Sequence, residues 1–393
     1  MAFLLIIVYN IKAMKREDIV VPQKKKQHYI PKTLLKRFSI NKKCFIYNLK
    51  SNEVIDNAVS YEDQCYANYM YGSDLKIENE LAEIESDFSA LLDFVIINNS
   101  LPVEEERIKK LSRYIILQWL RTESAVDRFQ TIAKDTMCSF LPSVLSYYKI
   151  GQENFDVEQY VGEYITTTFP RQQVAVHNVE CSLSSDLNIS DLKLCILKNA
   201  TDINLVLSDD LVIVGNDFQP EYGLGANCPG VYFYMPISPD LLLLLYDSKM
   251  YKIKKCELSI NEIEYLNYLQ LAKARKILIG KNKESLSNLK KTYDSFIFND
   301  VFKFFQHMGW KDPILINRAI PRFIAAYAKI YGYPRVNLPL KINPIIAMDN
   351  AFTPYKDNPQ RLFFRGDLNE YLWKKEYWGN DFSKLVYDTY LSK

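Results

Sequence analysis

The sequence has few glycines and histidines, and it lacks the familiar catalytic motifs. Twelve glycines and three histidines are spread over 393 residues. There is no glycine-rich phosphate loop, no GxSxG elbow, no HExxH and no paired Cys/His zinc pattern. These absences argue against a loop-cradled nucleotide, an α/β-hydrolase nucleophile and a zinc peptidase.

The cysteines also lack the pattern of a disulfide framework. Their number is odd, seven, and no two of them form a CxxC pair. Such usage is typical of reduced thiols in a cytoplasmic protein, and it argues against both a disulfide framework and a cysteine zinc site. We therefore expect a cytoplasmic location.

No membrane segment is expected at the N-terminus. The apolar run of residues 2–9 is far shorter than the roughly 20 residues that a bilayer span requires. It also lacks the basic residues that normally precede a signal-peptide core. Either Met14 is the true start and these residues are an upstream extension, or the chain starts at Met1 and these residues form a buried strand.

Charge of neither sign dominates, because 49 lysines and arginines face 47 acidic residues. Any charge argument must therefore be local. Residues 24–43 contain eight basic residues and no acidic one, which predicts a surface for the phosphates of a nucleic acid. A solvated arm and helix face is the alternative, favoured by the lack of interleaved exposed aromatics. The predicted contacts are Lys24, Lys25, Lys26, Lys32, Lys36 and Arg37.

Hydrophobic spacing predicts a helix-rich α+β protein. Short apolar runs predict an N-terminal β-hairpin at residues 44–59 and a small, mostly antiparallel sheet in the middle of the chain, at residues 192–246. We expect an N-terminal arm (1–25), an α+β domain (26–280) and an α-rich C-terminal extension (281–393). Helices are predicted at residues 76–98, 102–120, 123–148, 157–168 and 263–279.

Six polar residues stand out from their surroundings. One is the histidine of the Gln-His-Tyr-Ile-Pro segment at residues 27–31, which precedes a short amphipathic run. Two glutamates lie seven positions apart, on one line of a predicted helix. A glutamine and an arginine are neighbours on the next helix, and an aspartate follows a predicted strand. The six are His28, Glu78, Glu85, Gln118, Arg121 and Asp209. A structural pairing of the arginine with either glutamate is the alternative to a ligand contact.

Several segments, in this order, resemble the bacterial family known as domain of unknown function 4238. They are Gln27 to Pro31 with Leu35 to Phe38, Tyr69 to Gly72 with Glu78, Leu81 and Ile84-Glu85, Leu117-Gln118 with Arg121-Thr122, Ser208-Asp209, and Met235 to Pro239. The resemblance covers roughly residues 26–280. Asp210-Leu211 departs from the usual Asn-Pro. The family carries no agreed activity, so the resemblance implies positions rather than a reaction, with the six polar residues meeting in one cleft.

The leading expectation is a metal-dependent nucleic-acid hydrolase in a prokaryotic defence or toxin setting. A carboxylate set of Glu78, Glu85 and Asp209 would hold a divalent ion, Mg²⁺ or Mn²⁺. His28 would be a general base or ligand, Arg121 would stabilise phosphoryl charge, and Gln118 would complete the catalytic set.

The alternative expectation is a non-catalytic sensor or protein-interaction protein. In it the same six side chains form a buried, hydrogen-bonded network that holds the core together. A protein partner would then bind the aromatic C-terminal region. Residue patterns leave open which alternative holds, and they leave open the oligomeric state.

Overall fold

The computed structural model of the chain describes residues 25–147, 156–184, 189–216, 226, 230–253, 255–296 and 340–342. Within these ranges the chain forms α-helices and largely antiparallel sheets. The predicted helix-rich α+β class is therefore confirmed. No helix of this part of the chain is long and apolar enough to cross a membrane.

The N-terminal segment is held by a strand partner from further along the chain. Strand β1 (Lys26–His28) pairs antiparallel with β5 (Tyr66–Asn68). Pro31 then precedes the short helix α1 (Lys32–Leu35), which continues as a 3-10 turn (Lys36–Phe38). Leucines and a phenylalanine on one face of this segment are buried, so hydrophobic burial holds it against the helices.

The predicted N-terminal hairpin is confirmed, with a shorter second arm than the apolar pattern indicates. Strand β2 (Lys43–Asn48) pairs antiparallel with β3 (Glu53–Val54) and with β4 (Val59–Ser60). A 3-10 turn (Tyr61–Asp63) leads from the hairpin into β5. The chain after the hairpin therefore returns to the N-terminal strand β1.

Five helices follow: α2 (Lys76–Asn98), α3 (Glu105–Leu120), α4 (Glu123–Tyr147), α5 (Val157–Thr168) and α6 (Arg171–Leu183). The first four confirm their predictions, because each carries a regular apolar stripe. The fifth helix is not predicted. Its buried face includes Asn178 and Ser182, so its apolar period is weak, and packing against α3 and α4 stabilises it instead.

The predicted central sheet is confirmed. It contains β6 (Leu192–Asn199), β8 (Ile213–Asn216), β9 (Val231–Pro236), β10 (Leu241–Asp247) and β12 (Glu257–Leu258), in the order β12-β6-β10-β9-β8. All pairings are antiparallel except that of β12 with β6. Every residue of β10 is buried, which places one core on each face of the sheet.

A second sheet extends the hairpin, in the order β3-β2-β13-β7, through β7 (Leu207–Ser208) and β13 (Ile277–Gly280). The prediction of one helix over residues 263–279 is wrong at its end, because helix α7 (Ile260–Lys273) stops before β13. A short apolar run fits a strand as well as a helix. Here β2 and β7 provide hydrogen bonds on both edges of β13, which favours the strand.

The residues directly after residue 280 pack against the second sheet. Helix α8 (Lys283–Phe296) packs against β2 and β13, with Leu286 and Leu289 in a buried cluster around Tyr47 and Leu278. Strand β14 (Leu340–Ile342) pairs with β11 (Tyr251–Ile253). Most of the aromatic segment predicted to bind a protein partner lies outside the described residues.

Candidate functional site

Arg121 lies at the centre of the candidate site, directly after the last residue of α3. Its side chain is 1% exposed. Nη1 donates to Glu85 Oε1 on α2 at 2.7 Å, and Nη2 donates to the carbonyl oxygen of His28 at 2.7 Å. Nε donates to the Tyr71 hydroxyl at 3.3 Å, and that hydroxyl donates to the Arg121 carbonyl at 3.1 Å. One guanidinium thus links β1, the segment before α2, and α2 itself.

The charge of Arg121 is retained in this buried position. Burial lowers the pKa of the guanidinium, but attraction to Tyr71 and to the Glu85 carboxylate outweighs this effect, so the pKa is raised above its ordinary value. The structural pairing of Arg121 with a glutamate is confirmed, and the glutamate is Glu85. Since each guanidinium nitrogen already has a protein partner, this geometry is that of a network holding the fold together.

Gln27 adds a second link between β1 and the segment before α2, and residue patterns alone do not single it out as a site residue. Its side chain is fully buried. Oε1 accepts from the Tyr71 N–H at 2.6 Å, and Nε2 donates to the Gly72 carbonyl at 2.8 Å. Gly72 has a φ of +107°, a conformation that favours glycine. The side chain of Gln27 therefore stabilises a turn that other residues adopt with strain.

His28 is half-buried beside this network and presents a neutral ring. Its Nε2 lies 3.0 Å from the Glu62 carbonyl oxygen. Because a carbonyl only accepts, Nε2 carries the proton and Nδ1 carries the lone pair. Burial is the main cause that lowers the pKa of His28 to about 4, and the positive charges of Lys32 and Arg121 act in the same direction. The ring is thus an uncharged base at neutral pH.

Glu78 and Gln118 flank the same contact between α2 and α3. Glu78 is half-buried and close enough to raise the pKa of the Tyr71 hydroxyl, which burial raises most strongly. Gln118 is one turn before Arg121 and is 0% exposed. Neither of its amide atoms has a hydrogen-bond partner in the described part of the chain. Five of the six predicted residues therefore gather where β1, α2 and α3 meet.

Asp209 lies in a different contact, at the end of β7. It is 2% exposed, and its Oδ1 and Oδ2 accept from the backbone N–H groups of Arg275 and Lys276 at 2.6 and 2.8 Å. Burial raises the pKa of Asp209 to about 7, against the effect of these two N–H donors. Its hydrogen bonds hold the connection between α7 and β13 rather than any of the other five residues.

The neighbouring Asp210 has an ionic role that residue patterns alone do not reveal. Its Oδ2 lies 2.5 Å from Arg128 Nη1 and 3.5 Å from Lys273 Nζ, and Oδ1 accepts from the Thr122 hydroxyl at 3.2 Å. Burial raises the pKa of this carboxyl, but Lys273 and Arg128 lower it below its ordinary value. Asp210 thus forms ion pairs that link the residues after β7 to the helices α4 and α7.

The carboxylates proposed as metal ligands already have partners in this geometry. Oε1 of Glu85 binds Arg121, and both oxygens of Asp209 accept backbone N–H groups. Among the described residues, no group of three or more His, Cys, Asp or Glu side chains could hold a metal ion. A divalent cation held by Glu78, Glu85 and Asp209 stays a prediction.

The basic segment divides into exposed lysines and one structural arginine. Lys25, Lys26, Lys32 and Lys36 are exposed. Arg37 is different: its Nη2 binds Asp93 at 2.7 Å and the Ser89 carbonyl at 3.1 Å, and its Nη1 donates to the Thr33 carbonyl. Arg37 therefore anchors α1 to α2. Lys24 lies outside the described residues.

An aromatic ring from β5, distant along the sequence, lies beside one of these lysines. The Lys26 ammonium lies 4.7 Å from the centroid of the Tyr66 ring, and that ring lies 5.7 Å from the His28 ring. The pairing of β1 with β5 sets His28 directly opposite Tyr66. We call the surface formed by β1, β5 and α1, with the adjoining residues 36–43 and 61–63, the ribbon face.

Together the fold and the site define an α+β protein whose N-terminal histidine motif is bound by a buried arginine at the end of a core helix. Residues 26–284 match the family described as Protein of unknown function (DUF4238), and the chain belongs to this family. The resemblance read from the ordered motifs is thereby confirmed. No curated protein and no solved structure matches the chain.

Proposed function

We propose that the protein binds single-stranded nucleic acid on the ribbon face. The observation that carries the proposal is the Tyr66 ring, half-buried beside the Lys26 ammonium and the His28 ring. An aromatic ring can stack on a base while neighbouring lysines neutralise phosphates, and this combination is characteristic of single-strand binding. The pairing of β1 with β5 supports the proposal by bringing together the aromatic and basic components.

The charge of the ribbon face also supports a polyanionic ligand. Two lysines there are partly neutralised, because Lys26 pairs with Asp63 at 2.8 Å and Lys42 lies 3.7 Å from Glu62. The exposed ammonium groups of four others have no acidic partner in the described part of the chain: Lys25, Lys32, Lys36 and Lys43. This excess of positive charge is local, since the chain as a whole carries a net charge of +2.

A hydrolase of nucleic acid, in a prokaryotic defence or toxin setting, is the second candidate, and the state of His28 favours it. A neutral imidazole with its proton at Nε2 has a lone pair at Nδ1, and such a nitrogen can take a proton from a water or a ribose hydroxyl. The Glu62 carbonyl holds the tautomer. His28 lies on the same ribbon face as the proposed nucleic-acid contacts, so binding would bring a backbone to it.

The alternative to this second candidate is a non-catalytic role for the polar network. It is favoured by Arg121, whose three nitrogens are all bound within the protein. The two candidates share the binding surface and differ only in whether His28 reacts. A test must therefore measure binding and cleavage separately.

The test uses fluorescence anisotropy with labelled single-stranded RNA and DNA, and gel analysis of the same oligonucleotides for cleavage. Wild type is compared with Tyr66→Ala and with Tyr160→Ala, a control at an exposed tyrosine on α5. We expect Tyr66→Ala to weaken binding by about 1–3 kcal/mol, the usual value of one base stacked on an aromatic ring. Equal binding by both variants, or none by wild type at low salt, would contradict the proposal.

Cleavage decides between the two candidates. If wild type cleaves and His28→Gln binds but does not cleave, the hydrolase candidate holds. If wild type binds without cleaving, with and without added Mg²⁺ or Mn²⁺, the non-catalytic candidate holds. Circular dichroism of each variant must show a native fold, because His28 lies against Tyr66 and near Arg121.

A further inference from the structure

Three glutamines of the described chain are almost completely buried, and they differ in how their amides are paired. Gln27 has partners for both amide atoms. So does Gln270, whose Oε1 accepts from Ser208 and whose Nε2 donates to the Leu211 carbonyl. Gln118 is 0% exposed, yet neither its Oε1 nor its Nε2 has a partner. A buried amide left without hydrogen bonds is strongly unfavourable.

A second unpartnered polar group lies one turn away on the same helix. The Tyr114 hydroxyl is buried and has no hydrogen-bond partner among the described residues. Residues four apart on a helix share a face, so the Tyr114 ring and the Gln118 amide project from α3 toward the same neighbours. Tyr114 stacks on Phe88 of α2, which identifies that side as the α2–α3 interface.

The Glu85–Arg121 ion pair borders the same interface. Both charges act electrostatically on the Tyr114 hydroxyl, so the hydroxyl is close to them. The Glu85 side chain is 21% exposed while that of Arg121 is 1% exposed, and the cluster therefore approaches solvent at Glu85. The ion pair thus lies near the Tyr114 hydroxyl, one of the two buried groups of α3 that lack protein partners.

We propose that Gln118 and Tyr114, beside the Glu85–Arg121 pair, form an internal binding site for a small uncharged molecule with both hydrogen-bond donors and acceptors. In native proteins, buried polar groups without protein partners are normally satisfied by ordered water or by a ligand. The amide offers two N–H donors and one acceptor oxygen, and the hydroxyl offers one donor and acceptor lone pairs.

The chemistry of the site selects an uncharged molecule. The two unpartnered groups are neutral, and the adjacent positive and negative charges already bind each other at 2.7 Å. An added ion would have no countercharge there, and burying an unpaired ion is costly. Water and a small amide share the required donors and acceptors. The inference does not depend on nucleic-acid binding, since the site lies beneath the surface between α2 and α3.

The direct test is a high-resolution crystal structure of the full chain, grown once without small amides and once with acetamide. Density within hydrogen-bond distance of the Gln118 amide in both crystals, shaped as single atoms, identifies water. Larger density only with acetamide, together with a rise in Tm on adding acetamide that Gln118→Met lacks, identifies the amide. Absence of density in both crystals overturns the proposal.

Stability measurements provide an independent arm with a matched control. Methionine approximates the volume of glutamine without its polar atoms. If a bound molecule satisfies the amide, Gln118→Met loses those hydrogen bonds and its Tm falls. If the amide is unsatisfied, the substitution relieves a penalty and the Tm rises, which would overturn the proposal. Gln270→Met is the control, and its Tm should fall because its partners are seen directly.

Discussion

Arg121 donates a 2.7 Å hydrogen bond to the carbonyl oxygen of His28, a residue 93 positions earlier in the chain. The same guanidinium binds Glu85 at 2.7 Å. The histidine motif is therefore bound to the helices through its backbone, while its imidazole ring remains beside Tyr66 on the ribbon face. This arrangement separates a buried structural contact of the backbone from the half-buried imidazole ring.

The first prediction concerns the buried ion pair. Replacing Arg121 by methionine leaves the Glu85 carboxylate without its partner, so we expect a loss of about 3–5 kcal/mol in the free energy of unfolding. Replacing both partners, as Arg121→Met with Glu85→Leu, should cost less than the single change, because no unpaired charge remains. Chemical denaturation of the two single variants and the double variant measures the coupling.

A surface ion pair serves as the control for this cycle. Arg171 lies 2.5 Å from Asp127, and its side chain is 48% exposed. Exposed pairs contribute roughly 0–1 kcal/mol, so Arg171→Met should change stability little. If Arg121→Met is equally mild, the interpretation of Arg121 as the central link between β1 and the helices is wrong.

Local periodicity could predict the helices of the site, but it could not predict which polar residues face each other. The stripe of α2 predicts its bounds, residues 76–98, and these match the structure. The pairing of Glu85 with Arg121 depends on how α2 packs on α3. Spacing alone leaves Glu78 and Glu85 as equal partners for Arg121, because both lie on the same line of the helix.

Long-range pairing explains the other differences. Tyr66 meets Lys26 and His28 only because β1 pairs with β5, and no local pattern connects strands so far apart. Residues 277–280 continue an apolar, helix-like pattern, and the open edges of β2 and β7 decide that they form a strand. In the second case tertiary hydrogen bonds select one of two local structures, helix or strand, that the sequence allows.

The second prediction is a loss of stability at acidic pH caused by His28. Burial lowers its pKa to about 4 in the folded protein, below the ordinary value of 6.5. Between these values the unfolded chain binds a proton that the folded protein does not, so this contribution to stability falls as the pH drops from about 6.5 to 4. The shift corresponds to about 3 kcal/mol at most, and solvent screening of the half-buried ring reduces this value.

The measurement compares wild type with His28→Gln, which keeps a side-chain donor for the Glu62 carbonyl and does not titrate. Below about pH 6.5, the free energy of unfolding of wild type should fall relative to that of His28→Gln. His177, whose pKa burial also lowers, is present in both proteins and cancels. A difference that is independent of pH would show that folding leaves the pKa of His28 unchanged.

The third prediction has the opposite sign and concerns Asp209. Burial raises its pKa to about 7 in the folded protein, above the ordinary value of 3.8. The folded protein then holds a proton that the unfolded chain has lost, so stability falls as the pH rises from about 4 to 7, by at most about 4 kcal/mol. The backbone N–H groups of Arg275 and Lys276 favour the charged carboxylate and reduce the effect.

Asp209→Asn mimics the protonated carboxyl and removes the titration. Relative to this variant, wild type should lose stability between pH 4 and 7, as measured by urea unfolding at a series of pH values. Glu62→Gln, at a half-buried carboxylate on the ribbon face, is the control for the general effect of removing an acid. A wild type that gains stability over this range, relative to Asp209→Asn, would show that the two N–H donors outweigh burial.

The fourth prediction tests the ribbon face through the salt dependence of nucleic-acid binding. Each phosphate contact on a single strand contributes about 0.7 to the slope of log K against log salt. Replacing Lys25, Lys32 and Lys36 by alanine should therefore reduce the slope by about 2, in addition to weakening the affinity at low salt.

The control replaces three exposed lysines outside this face, Lys109, Lys110 and Lys252, and should leave the slope close to wild type. Equal slopes for the two triple variants would mean that binding follows the overall charge of the protein. The ribbon face would then have no special part in it, because a specific site loses its own phosphate contacts only when its own lysines are removed.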